Sequence, residues 1–174
     1  MSLTANHFEV FDIPVSFEIE TNTLAQRYRE LQRTVHPDKY ASAPERERRL
    51  AMQKATQINE AFETLKNPLT RGRYLLQLQG VDTNEENDTA MDTEFLMAQM
   101  ELREELADIK QKSQPIEALE TFLSHLKQEQ QRLIDTLSQQ FAQQNYQSAR
   151  ETVRRFQFFV RLDEEALRLE EELI

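Results

Sequence analysis

Cysteine is absent from the 174 residues. That excludes disulfides, thiolate metal sites and cysteine nucleophiles, and is compatible with a reducing compartment. Only two glycines and five prolines occur, so long helices are the natural expectation. Nothing reaches the roughly 18 consecutive apolar residues of a membrane span, and the N-terminal residues lack the basic and apolar regions of a secretory signal. Nucleophile motifs of the Gly-x-Ser-x-Gly kind and phosphate-cradling glycine loops are also missing. The three histidines are His7, His36 and His125; none sits in the Glu-x-x-His pattern of a di-iron bundle, and His125 reads as a polar helix residue. The expectation is a protein without cofactor, metal, catalytic residue or membrane partner, and not an enzyme.

What is present is enough apolar content, 39%, to build one domain or two small ones. The net charge of −10 is unevenly divided: residues 1–80 carry 11 Lys/Arg against 10 Asp/Glu, residues 81–174 carry 10 against 21. A near-neutral first module followed by an acidic second one is the simplest reading, and nucleic acid is not an expected partner. Between them, Val81 to Met91 has no apolar periodicity and many turn formers, so residues 81–91 are expected to be a linker. Gly80 is placed to stop the helix before it.

In the first module the chain is organised around His36-Pro37-Asp38. With Leu24 at zero on a helical wheel, Tyr28, Leu31 and Val35 fall within about 40°, while Arg29, Arg33 and His36 cluster at about 120 to 180°. One face of this helix is core and the other cationic. Pro37 closes it and rigidifies the turn. A second helix runs from near Pro44 to Lys66 with an apolar arc of Ala51, Ala55, Ile58, Ala61, Phe62 and Leu65, suited to packing antiparallel on the first. After Asn67-Pro68, the residues Leu69, Leu75, Leu76 and Leu78 suggest a short fourth helix, in which Gly72 costs about 1 kcal/mol relative to alanine. Taken alone, the arginines read as an ordinary solvated helix face. His36 can donate or accept and Asp38 offers a carboxylate on a stiff turn, which suits recognition better than catalysis.

Phe8 and Phe11, the segment Leu24 to Arg33, His36-Pro37-Asp38-Lys39, and Ile58-Asn59-Glu60-Ala61-Phe62 before Leu65 fall in J-domain order. Residues 1–80 therefore resemble a J domain, the module by which co-chaperones stimulate the ATPase of a DnaK-like chaperone. The resemblance implies that His36, Pro37 and Asp38, with Arg29, Arg33 and Lys39, form the chaperone-binding surface. The hydrolytic residues would then belong to the partner.

Residues 92–174 carry three further helical patterns: Thr93 to Gln111, Pro115 to Phe141 and Tyr146 to Leu173. Ser113 is placed to cap the second, with Pro115 in its first turn. Leu119, Phe122, Leu123, Leu126, Leu133, Ile134, Leu137 and Phe141 form its stripe, and an antiparallel three-helix bundle is expected. On the first of these helices Phe95, Ala98, Leu102, Leu106 and Ile109 form the core face, while Leu96, Met97 and Met100 lie on another side beside Glu101 and Glu104. On the last, Ala149, Val153, Phe156, Val160 and Leu167 form the stripe, and Phe158 is expected to project oppositely, beside Arg154 and Arg161. The surplus apolar residues serve either as packing between helices or as a partner-binding patch.

A J domain, a Tyr74-Leu75-Leu76 segment leading to Gly80, and the run Phe95-Leu96-Met97-Ala98-Gln99-Met100-Glu101-Leu102-Arg103-Glu104-Glu105-Leu106 together resemble the HscB co-chaperones of iron–sulfur cluster assembly. The implied fold is all-α: a J-domain helical hairpin with short flanking helices, joined to a three-helix bundle. The implied scaffold-binding residues are Leu96, Met97, Met100, Glu101, Glu104 and Phe158, with an IscU-like scaffold and an HscA-like chaperone as partners. Met100 stands where leucine is usual, and Gly72 and Arg73 where small or acidic residues are usual. Mitochondrial relatives add a targeting segment and a cysteine-rich zinc module, so a bacterial cytoplasmic member is expected. A J-domain co-chaperone for a different client is the alternative, and a structural helical bundle with an incidental turn at His36 a third.

Overall fold

The computed structural model describes residues 2–84 and 92–174. These form helices and connecting turns, with no strand among the described residues. The chain divides into two compact units, Met1–Leu78 and Gln79–Ile174.

The first unit contains α1 (His7–Val10), α2 (Thr21–Thr34), a 3-10 turn (Pro37–Tyr40), α3 (Glu45–Lys66) and α4 (Pro68–Leu78). Its core joins Phe8, Phe11 and Phe17 to Leu24, Val35, Ala51, Ile58, Ala61, Leu65, Leu75 and Leu76, all buried. Tyr28 of α2 stacks on Phe62 of α3, centroids 4.0 Å apart, and its hydroxyl donates to Asn59 Oδ1 at 2.8 Å. Asp12 turns the chain after α1 with φ of +52°, a conformation aspartate tolerates better than most residues. Arg27 Nη1 holds that turn by donating to the carbonyls of Phe11 and Asp12.

One expectation for this unit needs correction. Leu78 is 40% exposed rather than part of the α4 core face, because the inner face is completed instead by Arg71 and Gly72. The Arg71 guanidinium lies 4.9 Å from the centroid of Phe17 and donates to the carbonyl of Leu65 at 2.8 Å. Burial lowers its pKa to about 10, so it is still a cation at neutral pH. Gly80, with φ of +74°, lies two residues past the end of α4, in the left-handed conformation that suits glycine after a helix.

The second unit contains α5 (Thr93–Asp108), a 3-10 turn (Ile109–Gln111), α6 (Pro115–Ala142) and α7 (Tyr146–Leu173). Helices α6 and α7 pack along their length. The core cluster consists of Ile109, Leu119, Phe122, Leu126, Phe158, Phe159, Leu162, Ala166 and Leu169, with Phe95, Leu102, Leu106, Leu123 and Leu133 packed partly buried against it. Of the expected linker 81–91, Thr83 is buried, Asn84 N–H donates to Asp82 Oδ1 at 2.8 Å, and Arg150 Nε of α7 donates to the Asp82 carbonyl at 2.7 Å. Its remaining residues, 85–91, lie outside the described residues.

The single stripe expected on α7 is also corrected. Ala149, Val153 and Phe156 are buried, but Leu167 is 46% exposed and Val160 only half-buried. From Phe158 onward the buried set becomes Phe158, Phe159, Leu162, Ala166 and Leu169, which lies about 170 to 270° further round the helix. A long helix covered on more than one side has no one stripe. Ala98 of α5 is exposed rather than core. Ser113 does not cap α6, whose N-cap is Gln114 with no side-chain bond, because Pro115 occupies the first helical turn and puts the cap one residue later.

Candidate functional sites

On the first unit, α2 ends at Thr34, and buried Val35 anchors the chain before it leaves the core. His36 is the N-cap of the following 3-10 turn: its Nδ1 accepts the Asp38 N–H at 3.2 Å. With Nδ1 an acceptor, the neutral imidazole carries its proton on Nε2, where it is a donor for an incoming group. The Asp38 carboxylate lies 3.5 Å from His36 Nδ1, and the two side chains are 59% and 92% exposed. Pro37 and Lys39 are exposed on the same turn, as are Arg29 and Arg33 on the last turns of α2. All six expected residues are therefore at the surface, the four of the turn contiguous and the two arginines one helical turn apart.

On the second unit, α5 contains no fully buried residue. It is held through its partly buried Phe95, Leu102 and Leu106 and through charge. Arg103 Nη1 donates to both carboxylate oxygens of Glu165 at 3.1 Å, Lys110 pairs with Glu172 at 2.8 Å, and Arg155 approaches Asp92 at 3.5 Å. These half-exposed pairs each contribute at most about 1 kcal/mol. The outward face carries Leu96, Met97 and Met100, 43%, 58% and 64% exposed, together with exposed Glu101 and Glu104.

Phe158 does not join that face. The expectation that it projects to solvent is corrected: it is only 6% exposed, edge-on to Phe95 with centroids 5.6 Å apart and edge-on to Phe159. The Arg103 guanidinium lies 5.5 Å from its ring centroid. A residue opposite one stripe of α7 is covered here because α5 lies on that side of the helix. Five of the six expected scaffold-binding residues thus share an exposed surface, and the sixth supports the helix that presents them. The sequence reading placed Phe95 on the core face of α5 but missed that it and Arg103 link α5 to Phe158; an aromatic and an arginine in one apolar run were the available signal. Among the described residues no cluster of three His, Asp or Glu is arranged to hold a metal, and no helix is long and apolar enough to cross a membrane.

An exposed His-Pro-Asp turn between paired helices, followed by a three-helix unit with an apolar face, defines a J-domain co-chaperone. A DnaJ domain family matches residues 6–74, and the family described as the HSCB C-terminal oligomerisation domain matches residues 91–167. The chain is 45% identical over 166 residues to the co-chaperone protein HscB homolog of Photobacterium profundum, covering 95% of this chain and 97% of that one. It superposes on the chaperone HscB from Vibrio cholerae with a TM-score of 0.89 at 39% identity, covering 98% of this chain and all of that one. Superposition on the human co-chaperone protein HscB gives a TM-score of 0.91 at 32% identity, over 100% of this chain and 86% of that one. The chain belongs to the HscB co-chaperone family.

Proposed function

We propose that this protein is an adaptor for iron–sulfur cluster assembly in the bacterial cytoplasm. Its α5 face holds an IscU-like scaffold, and its His36-Pro37-Asp38 turn stimulates ATP hydrolysis by an HscA-like, DnaK-type chaperone. The observation that carries this reading is the presence, in one chain of the HscB family, of an exposed His-Pro-Asp turn and a separate apolar face on α5. The stiff turn offers an imidazole donor and a carboxylate with little entropy left to lose on docking. Arg29, Arg33 and Lys39 supply positive charge that steers an acidic partner surface and sets its orientation.

Leu96, Met97 and Met100 are already about half covered, so their complete burial is worth roughly 2 to 5 kcal/mol gross. Association costs an estimated 4 to 15 kcal/mol. The apolar contacts therefore need the Glu101 and Glu104 carboxylates to find cationic or N–H partners, and the resulting affinity suits a scaffold that is released again. Methionine adapts to an irregular partner surface through its flexible side chain. The division of labour is adaptor chemistry: this chain supplies binding energy and orientation, and the partner chaperone cleaves ATP and traps the scaffold.

The test is steady-state ATP hydrolysis by the cognate chaperone with and without this protein. Stimulation abolished by His36→Gln, with helicity intact, supports the reading. Equal stimulation by His36→Gln and wild type returns the tripeptide to an ordinary turn.

A further inference from the structure

The turn bearing His36-Pro37-Asp38 is closed across its neck by a residue outside the tripeptide. Tyr40, the last residue of the 3-10 turn, donates its hydroxyl hydrogen to the carbonyl oxygen of Thr34 at 3.2 Å. Thr34 is the last residue of α2, and carbonyls in the final turn of a helix have no intrahelical donor. The bond therefore satisfies a helix-end acceptor and ties the far side of the turn back to the helix from which it leaves. Inside the loop, Asp38 N–H donates to His36 Nδ1 at 3.2 Å and Lys39 N–H to the His36 carbonyl at 3.0 Å. Ala43 N–H donates to the Tyr40 carbonyl at 3.0 Å, which fixes the Tyr40 backbone from the other side. Val35 is buried at the start of the loop, and Tyr40 is half-buried at its end. The exposed tripeptide is thus stretched between two anchors, one apolar and one a hydrogen bond.

We propose that Tyr40 is a positioning residue for chaperone docking: its hydroxyl holds the His36-Pro37-Asp38 turn in the docked geometry before the partner arrives. The inference rests on the reading of that turn as the chaperone-binding element. Ordering a loop in advance removes a cost otherwise met at binding, so loss of the staple acts on the concentration dependence of stimulation. It leaves the maximal rate reached at saturation unchanged.

The experiment compares wild type, Tyr40→Phe and Tyr40→Leu in the full chain. Tyr40→Phe removes only the hydroxyl. The concentration giving half-maximal stimulation of the chaperone ATPase rises about three- to tenfold, equivalent to ~0.6–1.4 kcal/mol. Maximal stimulation and the thermal midpoint are retained, and the Asp38 and Lys39 amides exchange faster with solvent. An unchanged half-maximal concentration in Tyr40→Phe overturns the proposal. So does a Tyr40→Phe that matches wild type while Tyr40→Leu is weak, because the ring and not the hydroxyl then matters. A wild-type protein giving no stimulation at all removes the functional reading and the docking role with it, an outcome distinct from a stimulating wild type matched by Tyr40→Phe.

Discussion

Replacing Phe158 by alanine should unfold before it unbinds. The ring is 6% exposed and belongs to the core cluster shared by Phe122, Leu126 and Leu162. Truncating a buried phenylalanine costs about 3 to 5 kcal/mol. The edge-on contacts with Phe95 and Phe159 lie within that figure at about 0.5 to 1.5 kcal/mol each, and the Arg103 contact adds little, because that side chain is 48% exposed. An expected loss of about 3 kcal/mol corresponds to roughly a hundredfold increase in hydrogen exchange at the most protected amides of α6 and α7. Residue-resolved exchange is the appropriate assay, since it reports the helical bundle separately from the hairpin in a two-unit chain. Met100→Ala is the contrast: at 64% exposure it should change stability by no more than about 0.5 kcal/mol while weakening scaffold binding. Exchange accelerated less than tenfold in Phe158→Ala would refute the placement of Phe158 as the support of α5. Loss of α5–α7 protection in Met100→Ala would refute the placement of the patch at the surface.

Two further outcomes follow from local physics. His7 stacks on Tyr74 with centroids 4.2 Å apart, and burial lowers its pKa, against a smaller opposing effect of Glu60. The unfolded chain therefore binds a proton more readily than the folded one; stability is full above the ordinary histidine value near 6.5 and falls as pH drops through the lowered folded value. His7→Gln should flatten the acid side of a urea-midpoint profile read from α3 resonances, and an unchanged slope would remove His7 from the account. Gln114→Asp supplies α6 with the side-chain cap it lacks and should stabilise the bundle by about 0.5 to 1 kcal/mol, measured as a higher urea midpoint; no gain would place the helix start elsewhere.

The long helices were legible because their signals are local. The Leu24, Tyr28, Leu31 and Val35 spacing, the Asn67-Pro68 break and the Pro115 start lie within a few residues of the observed helix ends. The faces were less legible where a helix is covered from two sides. Leu167 fitted one stripe of α7 and is exposed, whereas Phe158 opposed that stripe and is buried, since α5 covers a side of α7 that no periodicity within α7 reveals. The exposed turn at His36 could be read from Pro37 and its polar neighbours. The Tyr40 bond to the Thr34 carbonyl could not, because a side-chain bond spanning six residues depends on the backbone path between them. Arg71 was similarly hidden: an arginine in sequence reads as surface, and only the folded chain places its guanidinium over Phe17.

The measurement closest to the central claim is ATP hydrolysis by the cognate DnaK-type chaperone in the presence of both this protein and the iron–sulfur scaffold. Synergistic stimulation is expected, disappearing in His36→Gln and losing its scaffold-dependent part in Met100→Ala. Stimulation indifferent to the scaffold would contradict the client assignment, and no stimulation by wild type would contradict the adaptor mechanism itself.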